Sequence, residues 1–212
     1  MRKLLLLLTI WGITNTLSAQ EKTFTPFVKG GVLISNGTTS DSQEALWGYN
    51  LGVGAYIHLF KNSALYAVPS LELKRKGARL SAQYDAEITT KCLYLQLTAD
   101  LARRFHPNRN QAISFGLGPY VAYGVSGKTY GSPGVYLYNG VPVDRRYDTF
   151  GTEIGFERWD AGIHTFMEYE LKKFFIGTSF EVGAVSVDRR RLSVNRNGLS
   201  FMDFDLYLGY RF

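Results

Sequence analysis

Apolar and polar side chains alternate with period two through most of the chain beyond residue 24, most sharply at its end. Met202, Phe204, Leu206, Leu208, Tyr210 and Phe212 fall on one side. Asp203, Asp205, Tyr207, Gly209 and Arg211 fall on the other. A helix would scatter both sets around its circumference, whereas a strand separates them. The same pattern recurs upstream. Phe174, Ile176, Thr178, Phe180 and Val182 oppose Phe175, Gly177, Ser179, Glu181 and Gly183, and the row from Trp159 to Leu171 opposes Asp160, Gly162, His164, Phe166, Glu168 and Glu170. Further rows run from Ile113 to Tyr123, Leu93 to Leu101, Leu65 to Leu73 and Tyr49 to Leu59, with a less polarised first strand near Phe24 to Ser35. Pro69 and Pro119 fall inside two rows, where a missing ladder donor predicts a local bulge.

The connections alternate in length. Residues 61–63, 106–111 and 172–173 are short, while 36–46, 75–90, 126–157 and 187–199 are long. Short turns at one end and long loops at the other, with an even number of strands, predict an all-β fold. That fold is an eight-stranded antiparallel transmembrane up-and-down β-barrel, its short turns periplasmic and its long loops external. The largest loop contains Gly131, Pro133, Gly134 and Gly140, which predicts mobility.

The two faces decide between a membrane barrel and a soluble one. Glu72, Lys74, Asp100, Asp160, Glu168, Glu181, Asp203, Asp205 and Arg211 share their face with the strand glycines. Small and charged residues suit an interior just wide enough to be filled by side chains. The other face is nearly free of charge over the middle of each strand, as lipid contact requires. Trp47, Tyr49 and Trp159 lie on it at the external ends, and Tyr169, Phe174, Tyr210 and Phe212 at the periplasmic ends, as two aromatic girdles would. A mean hydropathy of −0.10 is consistent with this, because only half of each strand faces lipid.

The start of the chain carries Arg2 and Lys3, then Leu4–Leu8, then small residues at Ser18 and Ala19. That order reads as a secretory signal peptide over residues 1–19, followed by one barrel domain over 20–212. The apolar part is shorter than a spanning helix needs. The net charge of +6 then points to membrane surfaces, because an exported chain does not meet nucleic acid. Cys92 is the single cysteine, so an intramolecular disulfide is excluded.

Gly116-Leu117-Gly118-Pro119-Tyr120-Val121-Ala122-Tyr123 resembles the glycine-proline-tyrosine strand of the PorT-like outer-membrane β-barrel domain family. Arg158-Trp159-Asp160-Ala161-Gly162 resembles the start of that family's sixth strand, and Tyr210-Arg211-Phe212 its terminal aromatic. The resemblance covers residues 22 to 212. It implies a cell outer membrane location, recognition of Phe212 by the barrel assembly machinery, and envelope or secretion proteins as partners. It implies a shared fold more than a shared activity.

Candidate chemistry is sparse. His164, Glu168 and Ser179 lie on the lumen face and raise hydrolytic chemistry, as in a lipid- or lipid A-modifying enzyme. The competing expectation is a network of ion pairs, with Lys29, Lys74, Arg104 and Arg211 as partners for the lumen acids. His58, His106 and His164 show no metal-ligand spacing, so no metal or other cofactor is expected. Arg145, Arg146, Arg189, Arg190 and Arg191 lie in external loops and are candidate contacts for the phosphates of lipopolysaccharide. The expected function is therefore a small non-enzymatic barrel in outer-membrane lipid, with a structural, binding or secretion-supporting role through its loops.

Overall fold

The computed structural model describes residues 24–38, 42–60, 63–82, 86–108, 110–131, 144–187 and 199–212. The proposed signal segment, the glycine-rich stretch 132–143 and Arg189–Arg191 lie outside the described residues. The strands are β1 (Phe24–Gly37), β2 (Ser42–His58), β3 (Leu65–Ala82), β4 (Ala86–Asn108), β5 (Gln111–Gly131), β6 (Tyr147–Asp148), β7 (Trp159–Leu171), β8 (Phe174–Gly183) and β9 (Phe201–Arg211). Eight of them close into an antiparallel barrel in the order β4-β3-β2-β1-β9-β8-β7-β5, with β5 pairing back onto β4. The two-residue β6 adds to the external end of β5.

The side-chain alternation sets the register everywhere. β1 and β9 pair from Phe27↔Arg211 to Gly37↔Phe201. The Phe212 amide donates to the Pro26 carbonyl at 3.0 Å, which brings Phe24 and Phe212 to the same rim. The short hairpins form as expected, and Leu171 pairs with Phe174 across Lys172-Lys173. Lys172 sits at φ 61°, the positive dihedral that a two-residue hairpin needs at its first central position.

Two expectations are corrected. Residues 42–46, 75–82, 86–90 and 126–131 are not loop: β2 and β5 take the first and last of these ranges, and β3 and β4 continue as a tall hairpin from Leu65↔Arg103 to Ala82↔Ala86 in unbroken register. This lifts Lys76 into the lumen. Neither proline produces a bulge. β3 keeps one register with β4 through Pro69, and β5 keeps one with β7 through Pro119. Each proline instead faces a gap in pairing toward its other neighbour, between Gly54↔Ser70 and Ile57↔Ala67 and between Thr98↔Tyr120 and Leu101↔Leu117. The irregular registers fall elsewhere, at Ser42/Glu44, Ala45/Asn50, Leu93/Tyr94 and Phe105/Asn108.

The outward face is apolar through the middle of the barrel. Leu51, Val53, Leu97, Leu101, Leu117, Ile163 and Leu208 are all more than half exposed or close to it. On β4 the outward cations Lys91 and Arg103 bracket this belt. Their twelve-residue separation spans about 40 Å of strand, or roughly 30 Å in height at a tilt of 35–45°. That matches a bilayer's hydrocarbon core. At the long-loop edge Tyr123 and Trp159 meet at 5.0 Å, and at the short-turn edge Phe174, Tyr210 and Phe212 form a row with centroids 5.1 and 5.3 Å apart.

Inside, glycines clear space for aromatic rings. A Cβ on Gly116 would lie 2.1 Å from the Phe166 ring, and one on Gly209 would lie 2.0 Å from Phe175. These rings belong to a cluster toward the short turns, of Phe27, Tyr56, Phe166, Phe175 and Tyr207. Gly116→Leu will therefore lower stability by about 1–3 kcal/mol through overpacking. Urea unfolding in detergent micelles measures this, and the double variant with Phe166→Ala will recover part of the loss.

Candidate functional site

The middle layer of the lumen is ionic. Lys74 Nζ lies 2.5 Å from Glu181, 3.0 Å from Asp205 and 3.7 Å from Glu72. Lys76 Nζ reaches Asp203 at 3.0 Å, Glu181 at 3.1 Å and Asp160 at 3.5 Å. Lys29 pairs with Glu72 at 2.7 Å. Neutral donors add to this layer: Gln96 to Glu181 at 2.6 Å, Ser70 to Glu72 at 2.7 Å, and Asn50 to Asp205 at 2.5 Å. Of the cations expected from sequence, Lys29 and Lys74 belong here. Arg104 and Arg211 form a second group nearer the short turns, where both pair with Glu170 and Arg211 also reaches Glu168.

The candidate hydrolytic trio does not assemble. His164 Nδ1 faces Asp100 at 2.9 Å, which is the orienting half of a catalytic arrangement. Ser179 instead donates to Asp205 at 3.0 Å. Glu168 accepts from Tyr56 at 2.6 Å and from Tyr207 at 3.1 Å. His164 is 1% exposed, so its ring is enclosed by the side chains that fill the lumen. Each of the three instead pairs with its own neighbours in the filled lumen.

Above the ionic layer, described residues plug the mouth at the long-loop end. Ile154, Phe156, Val187, Leu199 and Phe201 are buried against Ala78, Tyr94 and Tyr120. Ile154 and Phe156 of the plug come from the second half of the expected mobile loop, while Val187 and Leu199 flank the last long connection and Phe201 begins β9. Among the described residues, 144–157 pack onto the barrel, tied by Thr129–Thr149 hydroxyls at 3.0 Å and by Glu157 N to Val187 O at 2.7 Å. No period-two signal marks these residues, because their burial depends on a fold-back and not on a strand.

At the opposite end a recess of about 350 Å³ opens between the short turns, lined by Arg104, His106, Glu170, Lys172, Lys173 and Arg211. Partial burial, together with Arg104 and Arg211, holds the His106 imidazole below its usual range. His58 stacks on Tyr66 at 4.7 Å, so the three histidines stand apart. The described residues hold no group of three or more metal-binding side chains.

Of the five candidate anion contacts, Arg145 and Arg146 are described and both are exposed. The Arg146 guanidinium lies 5.7 Å over the Tyr130 ring. It lines a groove of about 370 Å³ on the outer wall with Tyr49, Arg75, Lys91 and Lys128. Those three further cations were not singled out from sequence, since they come from three strands and are adjacent only in the closed barrel.

Two of the three segments that carry the family resemblance meet in space. Tyr120 pairs with Gly162 across β5 and β7, and its hydroxyl donates to Asp160 at 3.2 Å. No family model matches the chain, and no curated protein does. Among solved structures it is similar to Ail, the attachment invasion locus protein of Yersinia pestis, in complex with the heparin analogue sucrose octasulfate. The two share 16% identity over 89% of this chain and 99% of that one, with a TM-score of 0.45. It is also similar to Neisserial surface protein A, at 9% identity over 88% and 97% with a TM-score of 0.43. The N-terminal β-barrel domain of Pseudomonas aeruginosa OprF gives 11% identity over 91% and 100%, with a TM-score of 0.40. At these identities the likeness is one of fold: an eight-stranded antiparallel β-barrel.

Proposed function

We propose that the chain is a non-enzymatic outer-membrane β-barrel of a Gram-negative cell, exported by residues 1–19, that acts by binding through its external end. The observation that carries this is the distribution of polarity across the wall. The outside is apolar between Lys91 and Arg103, while the inside is an ionic layer capped by an apolar plug. A barrel so arranged fits lipid outside, and among the described residues its interior is filled by side chains rather than opened as a channel or reaction chamber. The Tyr120–Asp160 contact supports placing it with PorT-like barrels, because it joins two of that family's resembling segments. In the same reading Phe212 is the signal for the barrel assembly machinery, and envelope or secretion proteins are the partner class.

The test compares the lipid A masses of cells with and without the protein, alongside the heat-modifiable gel mobility of the membrane-extracted chain. Unchanged lipid A masses and a heat-dependent shift are expected. A reproducible mass change would overturn the non-enzymatic role, and recovery as soluble periplasmic protein would overturn the membrane location.

A further inference from the structure

The outer-wall groove combines features that folding alone does not account for. Lys91 and Lys128 are direct cross-strand partners on β4 and β5 and both point outward. Like charges directly opposite each other on one sheet face are destabilising. Arg75, opposite Leu93, lies diagonally from Lys91, and Arg146 reaches the groove from the edge of β6. Four cations thus surround one recess, and no carboxylate lines it. Among the described residues none of the four makes an ion pair. The nearest acid by register is Asp148, opposite Lys128, and its carboxylate accepts from the Phe150 amide at 3.2 Å. Farther up the same wall Arg79 takes Glu44 and Glu87, which shows that an outward cation here does find a carboxylate when one is close.

The height of the groove identifies what fills it. Tyr49 of the external aromatic girdle forms its lower edge, and Lys91 marks the upper limit of the apolar belt. The recess therefore opens sideways into the headgroup layer of the outer leaflet, neither into bulk water nor into the lumen. A phosphodiester headgroup brings one negative charge, too few for four cations. A phosphomonoester brings about −1.5 to −2 at neutral pH and three acceptor oxygens. Lysine and arginine together suit such a group, arginine as a bidentate donor and lysine as a point charge.

We infer that Arg75, Lys91, Lys128 and Arg146 form a lateral binding site for a phosphomonoester-bearing glycolipid headgroup of the outer leaflet. This names the ligand class for the external-end binding above and rests on that reading. The aromatic rings of Tyr49 and Tyr130 flank the site, and Tyr130 also braces the Arg146 guanidinium. Lipid binding removes the Lys91–Lys128 repulsion, so occupied and folded states favour each other.

The test uses the full chain in phosphatidylcholine nanodiscs, alone or with a minor fraction of bis-phosphorylated lipid A, dephosphorylated lipid A or phosphatidylglycerol. Native mass spectrometry reads the lipid retained. Phosphorylated lipid A is expected to be retained selectively. Its affinity should fall about tenfold or more in the triple variant Arg75→Gln/Lys91→Gln/Lys128→Gln, equivalent to about 1.4 kcal/mol. Inorganic phosphate added to the discs that carry phosphorylated lipid A should not displace it at matched phosphate concentration. Equal retention by wild type and variant, equal retention of dephosphorylated lipid or phosphatidylglycerol, or full competition by free phosphate would each overturn the site. The three side chains face away from the lumen, and heat-modifiable mobility of the variant confirms that it is folded. A wild-type chain that fails to enter nanodiscs would instead overturn the membrane reading itself.

Discussion

Leu97→Arg will destabilise the barrel in a bilayer by about 2–4 kcal/mol, the cost of a guanidinium at the membrane midplane. Leu97 is 50% exposed on the outer face, midway along β4 between Lys91 and Arg103. The same substitution at Val125, also outward but beyond the Tyr123–Trp159 contact, should cost only about 0–1 kcal/mol, as near an interface. Urea titration of protein folded into phosphatidylcholine vesicles gives both values. The contrast matters more than either number. Were the outer face solvated, an arginine at Leu97 would be neutral or favourable, and equal effects at the two positions would refute lipid contact there.

Glu181→Leu will be comparably severe from the inside. Glu181 receives Lys74, Lys76 and Gln96, all of them buried. Removing it leaves two ammonium groups to the acids around them and strands the Gln96 amide. Breaking a buried charge network on one side costs about 3–5 kcal/mol, because the remaining charges lose their compensation. The retained contacts of Lys74 with Asp205 and of Lys76 with Asp203 favour the lower part of that range. Glu181→Gln keeps an acceptor in place and should fall between the two. Equilibrium unfolding of the three proteins in one detergent orders them, and a Leu variant as stable as wild type would show that the network contributes specificity and not stability.

The strands and their inward faces were legible in the sequence wherever one side met lipid. Every acid assigned to the lumen between Glu72 and Asp205 is buried there, because the apolar belt makes the contrast with its opposite face strong. Above the belt the contrast fades. Arg75 and Arg79 point outward into a polar environment while Lys76 points inward, so alternation no longer distinguishes strand from loop. The tall β3–β4 hairpin was hidden for that reason, and Lys76 with it. The prolines were misread for a different one. A missing donor calls for a bulge only if the strand must bond fully on both sides, and here one neighbour simply skips the position. The plug and the cationic groove depend on which loop or strand lies beside which, information that appears only when the barrel closes. Arg146 was visible as a charge, but its partners in the groove were not.

The β1–β9 seam has a consequence for connectivity. Its ladder is as regular as those within the chain, and the Phe212 amide bonds to Pro26, so Phe24 and Phe212 meet at one rim. The barrel is in effect a ring of eight strands with a single nick. Joining the two ends through a short linker and opening the ring at another connection would preserve every strand pair, which is the condition under which circular permutants fold. It also means that a domain fused to either end would emerge in the same compartment, beside the basic recess between the short turns.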